Sequence, residues 1–507
     1  MIIQMELWLS IAPPLVAVIF AMWTKQVIPS LLIGLWVGSW LYTGSFIESL
    51  NQTVVYITGV LTDIGNLDVL LFLYIFSGLV ALIQASGGVQ AFAQWISKFI
   101  KGPNQTLLAS WGLLPITFMD CGFRVVAGGA IIKPLAKRYD VAKERLAYML
   151  NNSSSPVIVL IPLATTFIGY IIGVLNKGMQ AAGISGDPLA LFIQSLPFHF
   201  FSYISILIAL LSIIPALNVG TMKQLIKGKR KETTKRAGGR NDGAYATEFS
   251  KEFGEGESKN TKKSDSAKDQ TGNAMKGEKK EMGMKMGMDN EEPELHPRLL
   301  NILVPIIILI ALSFLLMIGS EEPSRMMLQA LIITLVVSIL LYLVQGLSLK
   351  KMTDRFIKGG NKLMATIIIL LLAWPISDVS QDLGLTQLIE TTLEGNISPI
   401  WVPFLVFIVT AAVTYFIGSS WGAWALMMPV AIPLAVATGS SIPLAAAAVF
   451  SGGTFGDVTS PVSGMTAMSA GIAEADHMKY VQAMAPYNFT AAALSSLLFL
   501  GVSFLLI

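Results

Sequence analysis

The sequence predicts an all-α polytopic membrane protein made of two inverted repeats, with about ten transmembrane helices, two re-entrant hairpins and two broken helices. Three observations carry this expectation. Of 507 residues, 53% are hydrophobic and 13% are charged, whereas a soluble domain carries roughly 25% charge. Ten apolar runs approach the ~20 residues that a membrane crossing needs. Lys and Arg gather in blocks between those runs, and such blocks orient a chain across a membrane.

In the first half the runs are 7–23, 27–43, 69–85, 146–175 and 189–217; in the second they are 299–318, 326–346, 363–378, 443–470 and 486–507. The N-terminus has no basic n-region, so Leu7–Trp23 reads as a retained span. The loop 44–68 holds Glu48, Asp63 and Asp68 but no Lys or Arg, which places it outside, with Lys98 and Lys101 following inside. Regions 104–136 and 399–438 are apolar but break at their centres, at Met119–Arg124 and Gly418–Gly422. Either region fits two spans or a re-entrant hairpin. Lys133, Lys137, Arg138, Lys143 and Arg145 fall inside only if 104–136 enters and leaves by the cytoplasmic face. Lys350, Lys351, Arg355, Lys358 and Lys362 are likewise inside and Asp382, Glu390 and Glu394 outside, so the second hairpin opens outward. The order span, span, span, hairpin, span, span thus occurs twice in opposite orientation, over 1–219 and 298–507.

Between the repeats, residues 220–297 are rich in Lys, Glu, Gly, Ser and Asn. Such a segment buries too little apolar surface to offset its ordering entropy, and it reads as a disordered cytoplasmic linker. Its basic start, Lys223–Arg240, is an orientation signal or a contact with anionic membrane lipid. The tract Met282–Met288 reads as low complexity rather than as a soft-metal site.

Several functions lose their footing here. The single cysteine, Cys121, allows no disulfide within the chain and reads as a packed side chain. Three histidines show no metal-ligand spacing, no phosphate-binding glycine loop is present, and no Ser-His-Asp spacing lies in any span. Nothing supports an enzyme, ATP-driven transport or a nucleic-acid partner. What remains is a pair of polar breaks inside apolar segments: Asn151-Asn152-Ser153-Ser154-Ser155-Pro156 and Gly456-Asp457-Val458-Thr459-Ser460-Pro461. Aligned on their prolines, Asn152 stands opposite Asp457 and Ser155 opposite Ser460. Matched breaks in two halves mark the binding site of a secondary transporter working by alternating access.

An ionisable residue at membrane depth is costly and marks function by default. Asp457 lies between Gly452-Gly453-Thr454-Phe455-Gly456 and Thr459-Ser460-Pro461, where glycines permit unwinding and a proline frees a carbonyl. A carboxylate with carbonyls and hydroxyls suits sodium or a proton, and alternate occupancy gives antiport. The first break offers only neutral oxygens, for a cation or for an organic substrate; alternatively these residues bond neighbouring helices. Asp120 and Arg124, at the first hairpin tip, form a mutual ion pair or receive a cation and a substrate carboxylate respectively. Ser419 and Ser420 stand at the second tip beside Trp421, which reads as packing. Asp378 and Asp382 lie at an external mouth or in solvent.

The stretch Gly418-Ser419-Ser420-Trp421-Gly422-Ala423-Trp424, followed by Gly456-Asp457-Val458-Thr459-Ser460-Pro461-Val462-Ser463, resembles the TSWGT and GDxxSPxS patterns of the NhaC family of sodium/proton antiporters, in the ion-transporter superfamily. The run Lys133–Tyr148 is similar to that family's RPxxDRxxxSREKLAY, and Ser86-Gly87-Gly88 and Ala373–Gly384 also fit. The resemblance covers nearly all of the chain outside 220–297. It implies sodium-coupled transport: sodium/proton exchange, sodium-linked malate–lactate exchange or, in some relatives, amino-acid uptake. The chain departs from the family at Met119, Asn151 and Gly464, where relatives often carry acids. Fewer carboxylates shift weight towards an organic substrate held by neutral groups.

The expectation is a Na+/H+ antiporter of the bacterial plasma membrane without a cofactor, in which Asp457 is the shared sodium and proton site. Thr459, Ser460, Ser463, Asn151, Asn152 and Ser153, Ser154 and Ser155 supply further oxygens. The runner-up is sodium-driven uptake of an amino acid or small carboxylate, its carboxylate held by Arg124 or a half-helix N-terminus. A non-transporting membrane receptor is a third class, and self-association into a homo-oligomer stays open.

Overall fold

The computed structural model describes residues 8–24, 26–97, 100, 102–225, 295–317, 323–385, 387–388 and 398–506. The expected linker over 226–294, with its Met282–Met288 tract, and the residues Lys98, Lys101, Glu390 and Glu394 that orient the chain lie outside the described residues. Every regular element among the described residues is a helix. The first half runs α1 (Ala12–Thr24), α2 (Val27–Thr43), α3 (Phe46–Thr62), α4 (Ile64–Ala85), α5 (Gly88–Ser97), α6 (Pro103–Gly112), α7 (Leu114–Thr117), α8 (Cys121–Arg138), α9 (Lys143–Asn152), α10 (Ser155–Ile158), α11 (Thr166–Ala181), α12 (Pro188–Ser195) and α13 (Phe200–Leu211). The second runs α14 (Leu300–Met317), α15 (Pro323–Val344), α16 (Leu349–Asn361), α17 (Met364–Asp382), α18 (Val402–Ile417), α19 (Ser420–Thr438), α20 (Ile442–Thr459), α21 (Gly464–Ala473) and α22 (His477–Leu506).

Among the described residues, six helices are long and apolar enough to cross a membrane, or eight if each of two bent pairs is one span. Exposed apolar side chains such as Val344, Phe504 and Leu505 give these helices the hydrocarbon-facing surface that a bilayer demands. The expected loop over 44–68 is different: Phe46–Thr62 forms α3, turned 120° from α2. Gly44 at φ +68° ends α2, its N–H donating to the Trp40 carbonyl at 2.8 Å, and left-handed backbone suits glycine. Ser49, Thr53 and Val60 are buried while Phe46, Ile47, Leu50, Val54 and Val55 are exposed. That two-faced pattern at helical spacing is an amphipathic helix, hidden from a search for unbroken apolar runs.

The region 104–136 contains short α6, a single turn α7 and α8, interrupted at Leu113 and at Phe118–Asp120. In 399–438, α18 and α19 meet at Gly418, whose φ is +76°. Pro399–Ile417 and Ser420–Thr438 each have 19 residues and pass the test for a span. The segment 146–175 breaks at Ser153–Ser154 as the polar run indicates, and again over 159–165. Pro162 and the Thr165 cap explain the second break: the Thr165 hydroxyl accepts the Ile168 N–H at 3.2 Å, and the proline has no N–H to continue a helix. The segment 443–470 breaks at Ser460–Ser463, between α20 and α21.

The two halves pack reciprocally. Helix α17 packs against α2 and α3, and α4 packs against α15 and α16; α8 packs against α21, and α11 against α19. Phe167, Trp374, Trp424, Phe192 and Phe450 are among the fully buried rings at the centre. The breaks of both halves open into this packed interior.

Candidate functional site

The second break follows from one proline. Pro461 has no N–H for the carbonyl of Asp457 four residues earlier, so that acceptor is freed. The Ser463 hydroxyl takes it at 2.5 Å and Thr466 Oγ1 at 3.3 Å. The next carbonyl, of Val458, receives the side-chain amides of Asn151 and Asn488, each at 3.0 Å. Ser463 also caps α21, accepting the Met465 N–H at 3.1 Å. The glycines before Asp457 do not unwind the helix, contrary to expectation: α20 continues through Thr459. They instead admit neighbours. A Cβ at Gly452 would lie 2.9 Å from the Phe407 carbonyl, and one at Gly453 or Gly456 would collide with Trp424 or Thr414.

Asp457 thus sits in the last turn of a tightly embraced helix, 5% exposed. Its Oδ2 accepts the Ser155 hydroxyl at 2.5 Å, and its Oδ1 lies 3.4 Å from Ser463 Oγ. No Lys or Arg pairs with it among the described residues. Ser155 belongs to the other half, at the start of α10, so the two breaks touch at the carboxylate as well as at the Val458 carbonyl, which takes the Asn151 amide.

The other first-break residues face elsewhere. Asn151 donates to Val458 and, at 2.7 Å, to the Tyr480 hydroxyl, while its Oδ1 is buried with no partner. Asn152, aligned with Asp457 in sequence, points to α13, where its Oδ1 accepts the Ser205 hydroxyl at 2.7 Å. Ser154 donates to the Asn151 carbonyl at 2.5 Å. Ser153 meets Arg124, whose Nη2 donates to Ser153 Oγ at 2.9 Å and whose Nε donates to the Ser153 carbonyl at 3.3 Å.

Of the two readings of Asp120 and Arg124, the mutual ion pair is not formed. Asp120 caps α8, accepting the Phe123 N–H at 2.7 Å, and binds Thr166 Oγ1 at 3.1 Å. Arg124 is fully buried and also donates to Thr117 Oγ1 at 3.1 Å and to the Ser110 carbonyl. Protein acceptors occupy both arms of its fork, leaving no pair of N–H groups for a substrate carboxylate.

At the junction of α18 and α19, Ser419 caps α19 through the Gly422 N–H at 3.4 Å. Ser420 Oγ and Thr459 Oγ1 are buried without partners. Ser460 turns from Asp457 and donates to the Tyr415 carbonyl at 2.5 Å, closing the end of α18. The junction still touches the second break: a Cβ at Gly418 would lie 2.7 Å from the Val462 carbonyl. Trp421 packs edge-on against Phe167 and Tyr170, and Cys121 is buried, as expected.

Charges further out are paired across the halves. Lys177 of α11 meets Asp378 of α17 at 3.0 Å, and Asp382 accepts the Tyr56 hydroxyl of α3 at 2.5 Å. Between α21 and α22, Glu474 meets Lys133 at 2.7 Å, Lys137 at 3.4 Å and Lys143 at 3.5 Å. The hydrogen bond from Lys133, with its charge and that of Lys137, holds the Glu474 carboxyl down at about 2. Sequence reading missed Thr466, Tyr480, Asn488 and Lys177. A lone Asn in the apolar helix α22 and a lone Lys in α11 are the signals that mark two of them.

These helices, with a carboxylate enclosed where two of them break, define a multi-pass membrane protein. The chain belongs to the Na+/H+ antiporter family, whose family model matches residues 157–503. That membership identifies a transport protein and supports sodium/proton antiport. Asp120, Arg124 and Asn151–Ser155 precede the matched stretch. An uncharacterized protein of Haemophilus influenzae is 25% identical over 523 aligned positions, spanning 98% of this chain and 91% of its own length. The malate-2H(+)/Na(+)-lactate antiporter of Bacillus subtilis is 26% identical over 221 positions, spanning 41% of this chain and 44% of its own.

Proposed function

We propose that this protein exchanges sodium for protons across the bacterial plasma membrane by alternating access, with Asp457 taking either ion in turn. The carrying observation is a buried carboxylate that meets two hydroxyls and no basic side chain among the described residues. A carboxylate without a fixed countercharge must find one in solution, and sodium and protons are the cations that the family moves. Ser155 and Ser463 add oxygens for a bound sodium ion; Asn151 and Thr459, with unspent buried oxygens, stand in the same wall. Our reading of the fold is ten spans in two inverted repeats, 1–219 and 298–507, joined by a cytoplasmic segment at 220–297. The reciprocal packing of α3 on α17 and α16 on α4 supports it, because a pseudo-two-fold axis generates such pairs.

The test is sodium-induced collapse of a proton gradient in everted vesicles. Wild type responds, and Asp457→Asn shows no response above empty vesicles. An unchanged response in the mutant removes Asp457 from the mechanism. A second reading is sodium-linked exchange of a small carboxylate, favoured by the malate–lactate antiport of the Bacillus subtilis relative and by the orphan neutral oxygens of Asn151 and Asn488. It requires that malate or lactate accelerate the sodium-dependent response in the same vesicles.

A further inference from the structure

We propose that Arg124 is a positioning residue for cation exchange: its guanidinium fixes the shape of the first break so that Ser155 reaches Asp457. This rests on the reading of Asp457 as the exchange site. Arg124 is fully buried, and none of its partners is a carboxylate. It grips three separate places. Nη2 donates to the Ser110 carbonyl near the end of α6, and Nη1 donates to Thr117 Oγ1 at the end of α7 at 3.1 Å. Nε and Nη2 reach Ser153, in the break itself, through its carbonyl at 3.3 Å and its hydroxyl at 2.9 Å.

Helix ends leave carbonyls without intrahelical donors. A single planar fork here satisfies such carbonyls at two interruptions at once, which a lysine ammonium does not match in geometry. A buried cation with neutral partners is costly to desolvate, so its retention points to what the fork specifies rather than to net stability. The held residue, Ser153, stands two positions before Ser155, whose hydroxyl lies 2.5 Å from the Asp457 carboxylate. Asp120 contributes nothing to this grip, being spent on Phe123 and Thr166.

The charge of Arg124 and its fork predict opposite outcomes. If the charge repelled sodium, its removal would tighten sodium binding. If the fork positions Ser155, its loss weakens sodium binding even when the charge is kept. The experiment measures sodium-driven proton flux by full-length protein in proteoliposomes, for wild type, Arg124→Lys, Ser155→Ala and the double variant. Arg124→Lys is expected to raise the KM for sodium about tenfold, and the double variant is expected to be no worse than Ser155→Ala alone, because both changes act through one hydroxyl. An unchanged or lowered KM in Arg124→Lys, or multiplicative effects in the double variant, would overturn the proposal. A merely structural role reduces the amount of assembled protein without moving the KM. Where Arg124→Lys does not assemble, Ser153→Ala removes one acceptor and leaves the carbonyl grip; a threefold rise in KM that does not add to Ser155→Ala supports positioning, and independent effects overturn it. Absence of sodium-driven exchange in wild type sinks the reading of the site, and this inference with it.

Discussion

At the scale of single residues, one hydroxyl from each half decides how Asp457 is held. Ser155 both anchors the carboxylate and offers its own oxygen to a cation, so its loss acts on affinity. Hydrogen bonds to charged groups are worth about 1.5–3 kcal/mol. Ser155→Ala is therefore expected to raise the half-saturating sodium concentration at least about tenfold at unchanged protein level, read from sodium titration of vesicle proton flux. Ser460→Ala, which loses a bond to the Tyr415 carbonyl and one from the Val462 N–H but none to Asp457, is expected to leave that concentration within about twofold of wild type. The sequence pattern located Asp457, Ser155 and Ser463 but not the facing of their neighbours. Consecutive helical residues point about 100° apart, so five polar residues in a row cannot all face one ligand. Asn152 accordingly meets Ser205, and Ser153 meets Arg124. A one-dimensional alignment of the two prolines carries no record of that rotation.

At the scale of elements, the glycines of α20 serve close approach rather than unwinding. Glycines permit unwinding, but they also permit close approach, and two other elements, α18 and α19, supply the pressure that selects between these. Trp424 occupies the space where a side chain at residue 453 would go, and Thr414 does so at residue 456. Overpacking of this kind costs about 1–3 kcal/mol or more. Gly453→Val should lower the melting temperature of detergent-solubilised protein by several degrees or abolish assembly, whereas Gly464→Ala, with nothing within 4 Å of its Cβ position, should leave it unchanged. Element legibility followed the same physics. Long apolar runs such as 69–85 are readable because a bilayer imposes their length, although the helix there begins earlier, at Ile64. Helix α3 and the break over 159–165 are not, since amphipathic spacing leaves no unbroken run and the half-buried turn at Pro162 no polar cluster.

At the scale of the whole molecule, charge is concentrated where the halves meet. Glu474 draws Lys133, Lys137 and Lys143 of the first half to the connection between α21 and α22. Its folded pKa of about 2 lies below the ordinary 4.5, so its contribution is present above pH ~4.5 and lost as pH falls towards 2. Glu474→Gln should therefore lower the melting temperature by a constant, small amount between about pH 6 and 9, as exposed ion pairs do. The gap should narrow only below about pH 4.5; a gap that changes between pH 6 and 9 would assign the effect to another group. The reciprocal packing has a further consequence, which concerns biosynthesis. Gly78 of α4 receives the Phe356 ring of α16, yet the ribosome makes α16 long after α4 has entered the membrane. At roughly 5–20 residues per second, that groove waits on the order of tens of seconds for its lid. During this interval the nascent first half is an unfinished surface that lipid or an insertion chaperone must cover. Truncation after the first half should therefore yield a product cleared by membrane proteases, and co-expression of the missing half should rescue it.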